Sequence, residues 1–291
     1  MRIVASLEEI SAQYDALFVD VWGCVHDGIH PIAGAPEALA AYRARGGRVI
    51  LVTNAPRPRH SVAEQLDRIG VTRDAWDDIA TSGDSARVAM FTGAIGTRVW
   101  HLGHPQVDAS FFVPPSVLDD PVAIERVELE LAEGIACTGP FDPLADPEVL
   151  RPQLLSAKVH GLKLLCANPD IVVDRGDVRE WCAGAVARLY TQMGGESLYF
   201  GKPYPPIYDL ARRRLAQVAD VADGNILCVG DGVLTDARGA MGEDLDLLFV
   251  SGGLAAAETG TVHGGDPEPE MLAAFAAAEG IAPQYVIGTL R

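Results

Sequence analysis

Basic residues are scarce in this 291-residue chain: 23 lysines and arginines stand against 40 aspartates and glutamates, a formal net charge of −17 at pH 7. So acidic a surface disfavours DNA, RNA and anionic membranes as large partners. A single pocket of opposite local charge still admits a small phosphorylated ligand. Long apolar runs are missing as well. No uninterrupted stretch approaches the roughly 18 residues that span a bilayer. The N-terminal segment, which includes Arg2, Glu8 and Glu9, lacks the apolar stretch and small-residue cleavage site of a secretory leader. Cysteine is sparse, and Cys24, Cys137, Cys166, Cys182 and Cys228 include no C-x-x-C pair. The odd count points to buried free thiols in a reducing compartment, so a cytoplasmic location is expected. What remains is an ordinary globular composition, 48% hydrophobic and 22% charged, with ample material for a core. The length suggests roughly two domains, and oligomeric state is open.

Short apolar runs alternate with helical patterns. Ala16 to Val19, Arg48 to Val52, Ile226 to Val229 and Leu247 to Val250 read as buried strands. Ala35 to Arg45 reads as a helix ended by Gly46-Gly47, and Val62, Leu66 and Ile69 recur at helical spacing before Gly70. Such alternation predicts an α/β fold with a Rossmann-like parallel sheet covered on both faces. The stretch from about Thr97 to Ser197 reads as an inserted α/β module. Its strands are expected at Arg98–Leu102, Ile135–Thr138 and Lys163–Cys166, and its helices at Pro147–Lys158 and Glu180–Met193. Gly252 to Gly265 reads as a loop before a last helix.

Four polar clusters follow predicted strands: Asp20-Val21-Trp22-Gly23, Thr53-Asn54, Gly201-Lys202-Pro203 and Asp231 to Asp236. In a parallel sheet such ends converge on one crevice. Asp20 and Asp231 can share a hard cation such as Mg²⁺, and Thr53, Asn54 and Lys202 can hold phosphoryl oxygens. A strand-terminal carboxylate facing a phosphate can attack it, giving an aspartyl phosphate that water cleaves. Each piece alone also has a bland reading as a turn residue or helix cap. Their joint order is what points to phosphoryl chemistry. Cys24 beside this site reads as a packed thiol, and His101 and His104 as a strand end and loop. Arg212-Arg213-Arg214 reads as a solvated helix face, and Ser251-Gly252-Gly253 either lines the crevice or turns the chain.

On these motifs the chain resembles the haloacid dehalogenase (HAD) superfamily. Within it, the chain is similar to class IIA phosphatases, whose Asn-Pro-Asp motif matches Asn168-Pro169-Asp170. The resemblance implies a HAD core from residues 1–96 and 198–291 and an α/β cap from 97–197 that closes over the crevice. It implies Mg²⁺-dependent hydrolysis of a small phosphorylated metabolite, with no nucleic-acid or membrane partner. By resemblance, Asp20 is the nucleophile. Asp20, Asp231 and the Trp22 carbonyl bind Mg²⁺, Thr53, Asn54 and Lys202 bind phosphate, and Gly23 and Asp236 support the site. His26, Asn168 and Asp170 are candidates to approach the substrate.

The chain departs from the family pattern at Trp22, where the family carries a second aspartate that protonates the leaving oxygen. A general acid or base contributes about 10²–10⁴-fold, and indole does not titrate near neutrality. Three readings stay open. The leaving group needs little protonation, or His26 or Asp27 replaces the acid, or the protein binds a phosphometabolite with impaired turnover. A different HAD reaction, such as phosphoryl transfer to another acceptor, or carbon–phosphorus cleavage using Lys158 or Lys163, is a further alternative.

Overall fold

The computed structural model describes residues 1–175, 178–262 and 264–291. By packing, the chain divides into two compact units, residues 1–53, 63–80 and 202–291 in the first, and residues 54–62 and 81–201 in the second.

The first unit is built on a seven-stranded sheet in the order Arg2–Ile3, Tyr285–Ile287, Asp246–Val250, Ile226–Gly230, Ala16–Val19, Arg48–Thr53, Asp78–Thr81. Neighbours from the first through Arg48–Thr53 run parallel. Parallel strands covered on both faces must be apolar throughout, and Ala16–Val19 and Ile226–Gly230 are buried at every position. The helices are started by local chemistry. Pro205 and Pro206 open the helix Pro205–Leu215, where a missing N–H costs nothing. That helix buries Ile207, Tyr208, Leu210, Ala211 and Leu215 in a core with Phe18, Ile50 and Phe249.

Connectivity decides where a ligand sits. From Ala16–Val19 the chain proceeds outward to Arg48–Thr53 and Asp78–Thr81, while from Ile226–Gly230 it proceeds the other way to Asp246–Val250 and Tyr285–Ile287. The order therefore reverses between two adjacent strands whose carboxyl ends carry Asp20 and Asp231. A crevice at such a switch point is the standard ligand position of an open α/β sheet.

The second unit holds a five-stranded parallel sheet in the order Glu196–Tyr199, Lys163–Cys166, Gly134–Cys137, Arg98–Leu102, Glu125–Arg126. A separate antiparallel pair joins Val172–Arg175 to Val178–Trp181. The expected helix from Glu180 begins only at Ala183, because Glu180 and Trp181 pair across that hairpin. The Pro147–Lys158 helix divides into a 3₁₀ turn at Pro147–Leu150 and an α-helix at Arg151–Val159. Helix Ser82–Phe91 packs Ala86, Met90 and Phe91 into this unit's core with Val99, Ala136 and Leu165. By packing, residues 54–62 and 81–96 also belong to the second unit. Among the described residues no helix is long and apolar enough to cross a membrane.

Candidate functional site

The site grows out of strand ends in the first unit. Asp20 follows Ala16–Val19, and its backbone N–H donates to Val229 O (2.8 Å), which ties the turn to the neighbouring strand. The loop then doubles back: Gly23 N–H donates to His26 O (2.9 Å), and Val25 and His26 N–H donate to Val21 O. Gly23 carries φ +82°, and a Cβ there would lie 2.4 Å from Asp231 Oδ2, so both the bend and the approach of the carboxylate require glycine.

Lys202 enters just ahead of helix Pro205–Leu215. Its Nζ donates to Asp20 Oδ1 (2.6 Å) and to Asp236 Oδ1 (2.7 Å). The other Asp236 oxygen accepts from Gly232 N–H (3.1 Å) and Thr235 Oγ1 (3.3 Å). Asp231 Oδ2 accepts from Leu254 N–H (3.0 Å). Gly253 lies so close that a Cβ would stand 2.0 Å from the same oxygen. For the Ser251–Gly253 turn the sequence leaves two roles open, lining the crevice or turning the chain. The turn carries the backbone that cradles Asp231, a contact between residues 23 positions apart that no side-chain pattern signals.

Asp20, Asp231, Asp236 and Lys202 are each at most 9% exposed. Three carboxylates therefore face one ammonium in a desolvated pocket. Burial and the Asp236 charge push Asp20 well above the usual carboxylate range, against the pull of Lys202. Burial and the Asp236 charge push Asp231 up to about 7. Burial works against the Lys202 ammonium, but the Asp20 and Asp236 charges outweigh it and hold Lys202 above its ordinary value. Gathering three carboxyl groups around one ammonium works against their ionisation, and a bound dication would offset that surplus negative charge. Among the described residues one group of metal-competent side chains emerges. Donor atoms of Asp20, Cys24 and Asp231 lie within 4.8 Å of one another, all buried. The residues present therefore fit a divalent cation.

Breaking the ammonium side of this cluster has a predictable cost. Lys202→Met leaves buried carboxylates uncompensated and is expected to destabilise the cation-free protein by about 3–5 kcal/mol, read as a lower urea midpoint. An unchanged midpoint would mean that the Lys202 contacts carry no stability.

Trp22 is half-buried and meets the His26 ring edge-to-face at 5.2 Å between centroids. His26 is 2% exposed, and its Nδ1 accepts from Gly28 N–H (2.9 Å). That bond leaves Nε2 as the ring nitrogen available to carry a proton. Asp27 is exposed and accepts from Ile29 and His30 N–H (2.8 and 2.7 Å). Hydrogen bonds from His30 and Ile29 hold its carboxyl below the ordinary value, which makes it a poor acid at neutrality. Thr53 ends the strand beside Asp20 and is buried.

The remaining sequence candidates, Arg212 apart, lie in the second unit. Asn54 Nδ2 donates to Asp170 Oδ1 (2.8 Å), and Asn168 Oδ1 accepts from Asp170 N–H (3.0 Å). The Thr-Asn pair of the sequence is thus split between the two units, with Asn54 bound to the Asn-Pro-Asp turn. His101 Nε2 lies 2.9 Å from Thr138 Oγ1, which donates to Asp108 (2.7 Å). Arg212 is engaged by Glu243 (2.6 Å) and Lys163 by Glu196 (2.9 Å).

Comparison with known proteins adds an independent line. Residues 17–111 match a family model described as haloacid dehalogenase-like hydrolase, and residues 199–274 match one described as HAD-hydrolase-like. A solved hydrolase of the haloacid dehalogenase-like family from Brucella suis 1330 is 38% identical, with a TM-score of 0.84, over 99% of this chain and 100% of that one. A glycerol phosphate phosphatase from Mycobacterium tuberculosis, solved with calcium, is 26% identical, with a TM-score of 0.64, over 84% of this chain and 68% of that one. The same protein is also solved with magnesium. Human glycerol-3-phosphate phosphatase is 32% identical over 110 residues, 35% of this chain. That match spans about a third, 34%, of the human protein's length.

Proposed function

Because the chain belongs to the haloacid dehalogenase-like hydrolase family, we propose that it is a Mg²⁺-dependent phosphatase of a small phosphorylated metabolite, acting through an aspartyl phosphate on Asp20. The observation that carries the reading is the buried switch-point cluster, in which Lys202 Nζ bridges Asp20 (2.6 Å) and Asp236 (2.7 Å) while Asp231 stands on the adjacent strand end. Similar proteins named as glycerol phosphate phosphatases make small phosphomonoesters the first substrate class to try.

In this mechanism an Asp20 carboxylate oxygen attacks phosphorus. A bond from Asp20 to phosphorus forms, the bond from phosphorus to the leaving oxygen breaks, and that oxygen takes up a proton. Water then attacks phosphorus, releasing inorganic phosphate and restoring Asp20. Lys202 and Thr53 hold phosphoryl oxygens, and Lys202 keeps the Asp20 carboxylate oriented through its bond to Asp236. Asp20, Asp231 and the Trp22 carbonyl would hold the cation. When bound, the cation supplies positive charge that offsets repulsion between the attacking carboxylate and the phosphate dianion.

One observation favours slow turnover: Trp22 presents an indole that meets His26 edge-to-face, a group with no proton to give near neutral pH. A phosphometabolite-binding protein with impaired catalysis is therefore the second reading. A phosphate-release screen over phosphomonoesters with Mg²⁺, repeated with chelator, separates the two. Turnover that chelator abolishes supports the phosphatase; binding without turnover supports the second reading.

The cation makes a separate prediction. At a Mg²⁺ concentration about 100 times its dissociation constant, the folded state gains about 2.7 kcal/mol, which raises Tm by about 5–10 °C. Asp231→Asn is expected to lose that rise, yet to melt no lower than wild type without metal, since one of the buried like charges is gone. A calorimetric scan in which Asp231→Asn keeps the full Mg²⁺ shift would remove Asp231 as a ligand.

A further inference from the structure

Cys24 has no part in the mechanism above. Its side chain is fully buried, and among the described residues no hydrogen bond engages its thiol. Its sulfur belongs to the group whose donor atoms, with Asp20 and Asp231 carboxylate oxygens, lie within 4.8 Å of one another. Donors to one zinc ion stand about 2.0–2.3 Å from it, so three that share a tetrahedral ion lie about 3.3–3.8 Å from one another. The separations, all within 4.8 Å, close on a single ion after a shift of at most about 1 Å. The other four cysteines join no such group among the described residues. Asp231 is also held by the Leu254 N–H (3.0 Å) and the close approach of Gly253, so its carboxylate is preset before any ion binds.

We infer that Cys24 supplies a sulfur donor to the cation site of Asp20 and Asp231, so that the site takes thiophilic divalent ions, such as cobalt(II), zinc(II) and cadmium(II), through a thiolate as well as through carboxylate oxygens. The inference rests on the divalent-cation reading of the preceding subsection and deepens it. A site of oxygen donors alone suits Mg²⁺ and leaves discrimination to size and geometry. A thiolate in the same site selects softer ions. Coordination breaks the S–H bond, forms a sulfur–metal bond and releases the proton to solvent. Soft ions are then expected to displace Mg²⁺ and to be retained against it.

The test is titration of the full chain, cleared of metal by chelator, with cobalt(II). Wild type is expected to bind one equivalent and to develop a near-ultraviolet thiolate-to-cobalt charge-transfer band. Cys24→Ser is expected to lose that band while retaining the visible bands of cobalt held by oxygen. Asp231→Asn is expected to lose the charge-transfer band as well, which ties the sulfur to this site. X-ray absorption of cadmium-loaded wild type reads a cadmium–sulfur distance directly and needs no variant, so a misfolded Cys24→Ser leaves the inference exposed to refutation. Cobalt bound without the charge-transfer band, a band that survives Cys24→Ser, or cadmium surrounded by oxygen alone overturns the sulfur ligand and leaves the divalent-cation reading standing. Failure to bind either Mg²⁺ or cobalt(II) overturns both.

Discussion

Asp20→Asn is expected to abolish phosphate release, lowering turnover by about 10³-fold or more, or roughly 4 kcal/mol of barrier, with an unchanged far-ultraviolet circular dichroism spectrum. The substitution preserves shape. The amide oxygen still accepts from Lys202 Nζ, which stands 2.6 Å from Asp20 Oδ1, and the backbone bond from Asp20 N–H to Val229 O is untouched. What is lost is the anionic oxygen that bonds to phosphorus in the proposed mechanism. Stability should not fall, because Asp20 is one of three carboxylates packed around one lysine and burial already works against its charge. The variant is thus expected to melt at or above the wild-type temperature in the absence of metal while being inactive. That combination separates loss of chemistry from loss of fold. Asp20→Glu sharpens the result. It restores the charge but displaces the oxygen by about one methylene, and a misplacement of about 1 Å costs on the order of 10²-fold. A purely electrostatic role for Asp20 would be rescued by glutamate; a nucleophile would not. Near-wild-type phosphate release in Asp20→Asn would remove the assigned nucleophile.

The parts of this arrangement that were legible in the sequence share a physical cause. Ala16–Val19 and Ile226–Gly230 are buried at every position, so they appear as unbroken apolar runs, and the first polar residue after each run marks the strand end. That is why Asp20 and Asp231 could be placed, and with them the parallel α/β fold. Contacts made by backbone groups leave no such trace. The Leu254 N–H and the close approach of Gly253 fix Asp231 from a loop, and any residue except proline offers an N–H. Cys24 was visible as a neighbour of Asp20, but nothing in a one-dimensional pattern says that its sulfur faces two carboxylates rather than the core. The hairpin of Val172–Arg175 and Val178–Trp181 was hidden for another reason. Its second strand merges into the apolar face of helix Ala183–Gln192, and helical spacing absorbed Glu180 and Trp181. Helix Ser82–Phe91 places Ala86, Met90 and Phe91 in the second unit's core, a placement that only packing reveals.

Trp22→Asp is expected to raise turnover by about 10²–10⁴-fold, the contribution of a well-placed general acid and base. In the proposed mechanism the wild-type leaving oxygen departs without a proton from residue 22, and water attacks the aspartyl phosphate without a base there. Loss of the acid slows the first step, and loss of the base slows the second. For an activated ester such as an aryl phosphate, whose leaving group needs little protonation, only the second handicap remains. Wild type should then show a burst of leaving group stoichiometric with enzyme, followed by slow turnover, as phosphoenzyme accumulates. In Trp22→Asp the burst should disappear as breakdown catches up with formation, and the pH–rate profile should acquire a limb from the new carboxyl group. The variant also gives up the edge-to-face contact with His26 at 5.2 Å, worth about 0.5–1.5 kcal/mol, so its melting temperature should fall slightly while its activity rises. A proton supplied by His26 would leave a different signature. Its Nδ1 is occupied by Gly28 N–H, so Nε2 would be the donor, and His26→Asn would lower wild-type turnover while leaving Trp22→Asp nearly unaffected. Rapid-quench kinetics that show fast steady turnover in wild type with no burst, together with no gain in Trp22→Asp, would mean that the indole imposes no chemical handicap and that proton transfer in this site runs through another group.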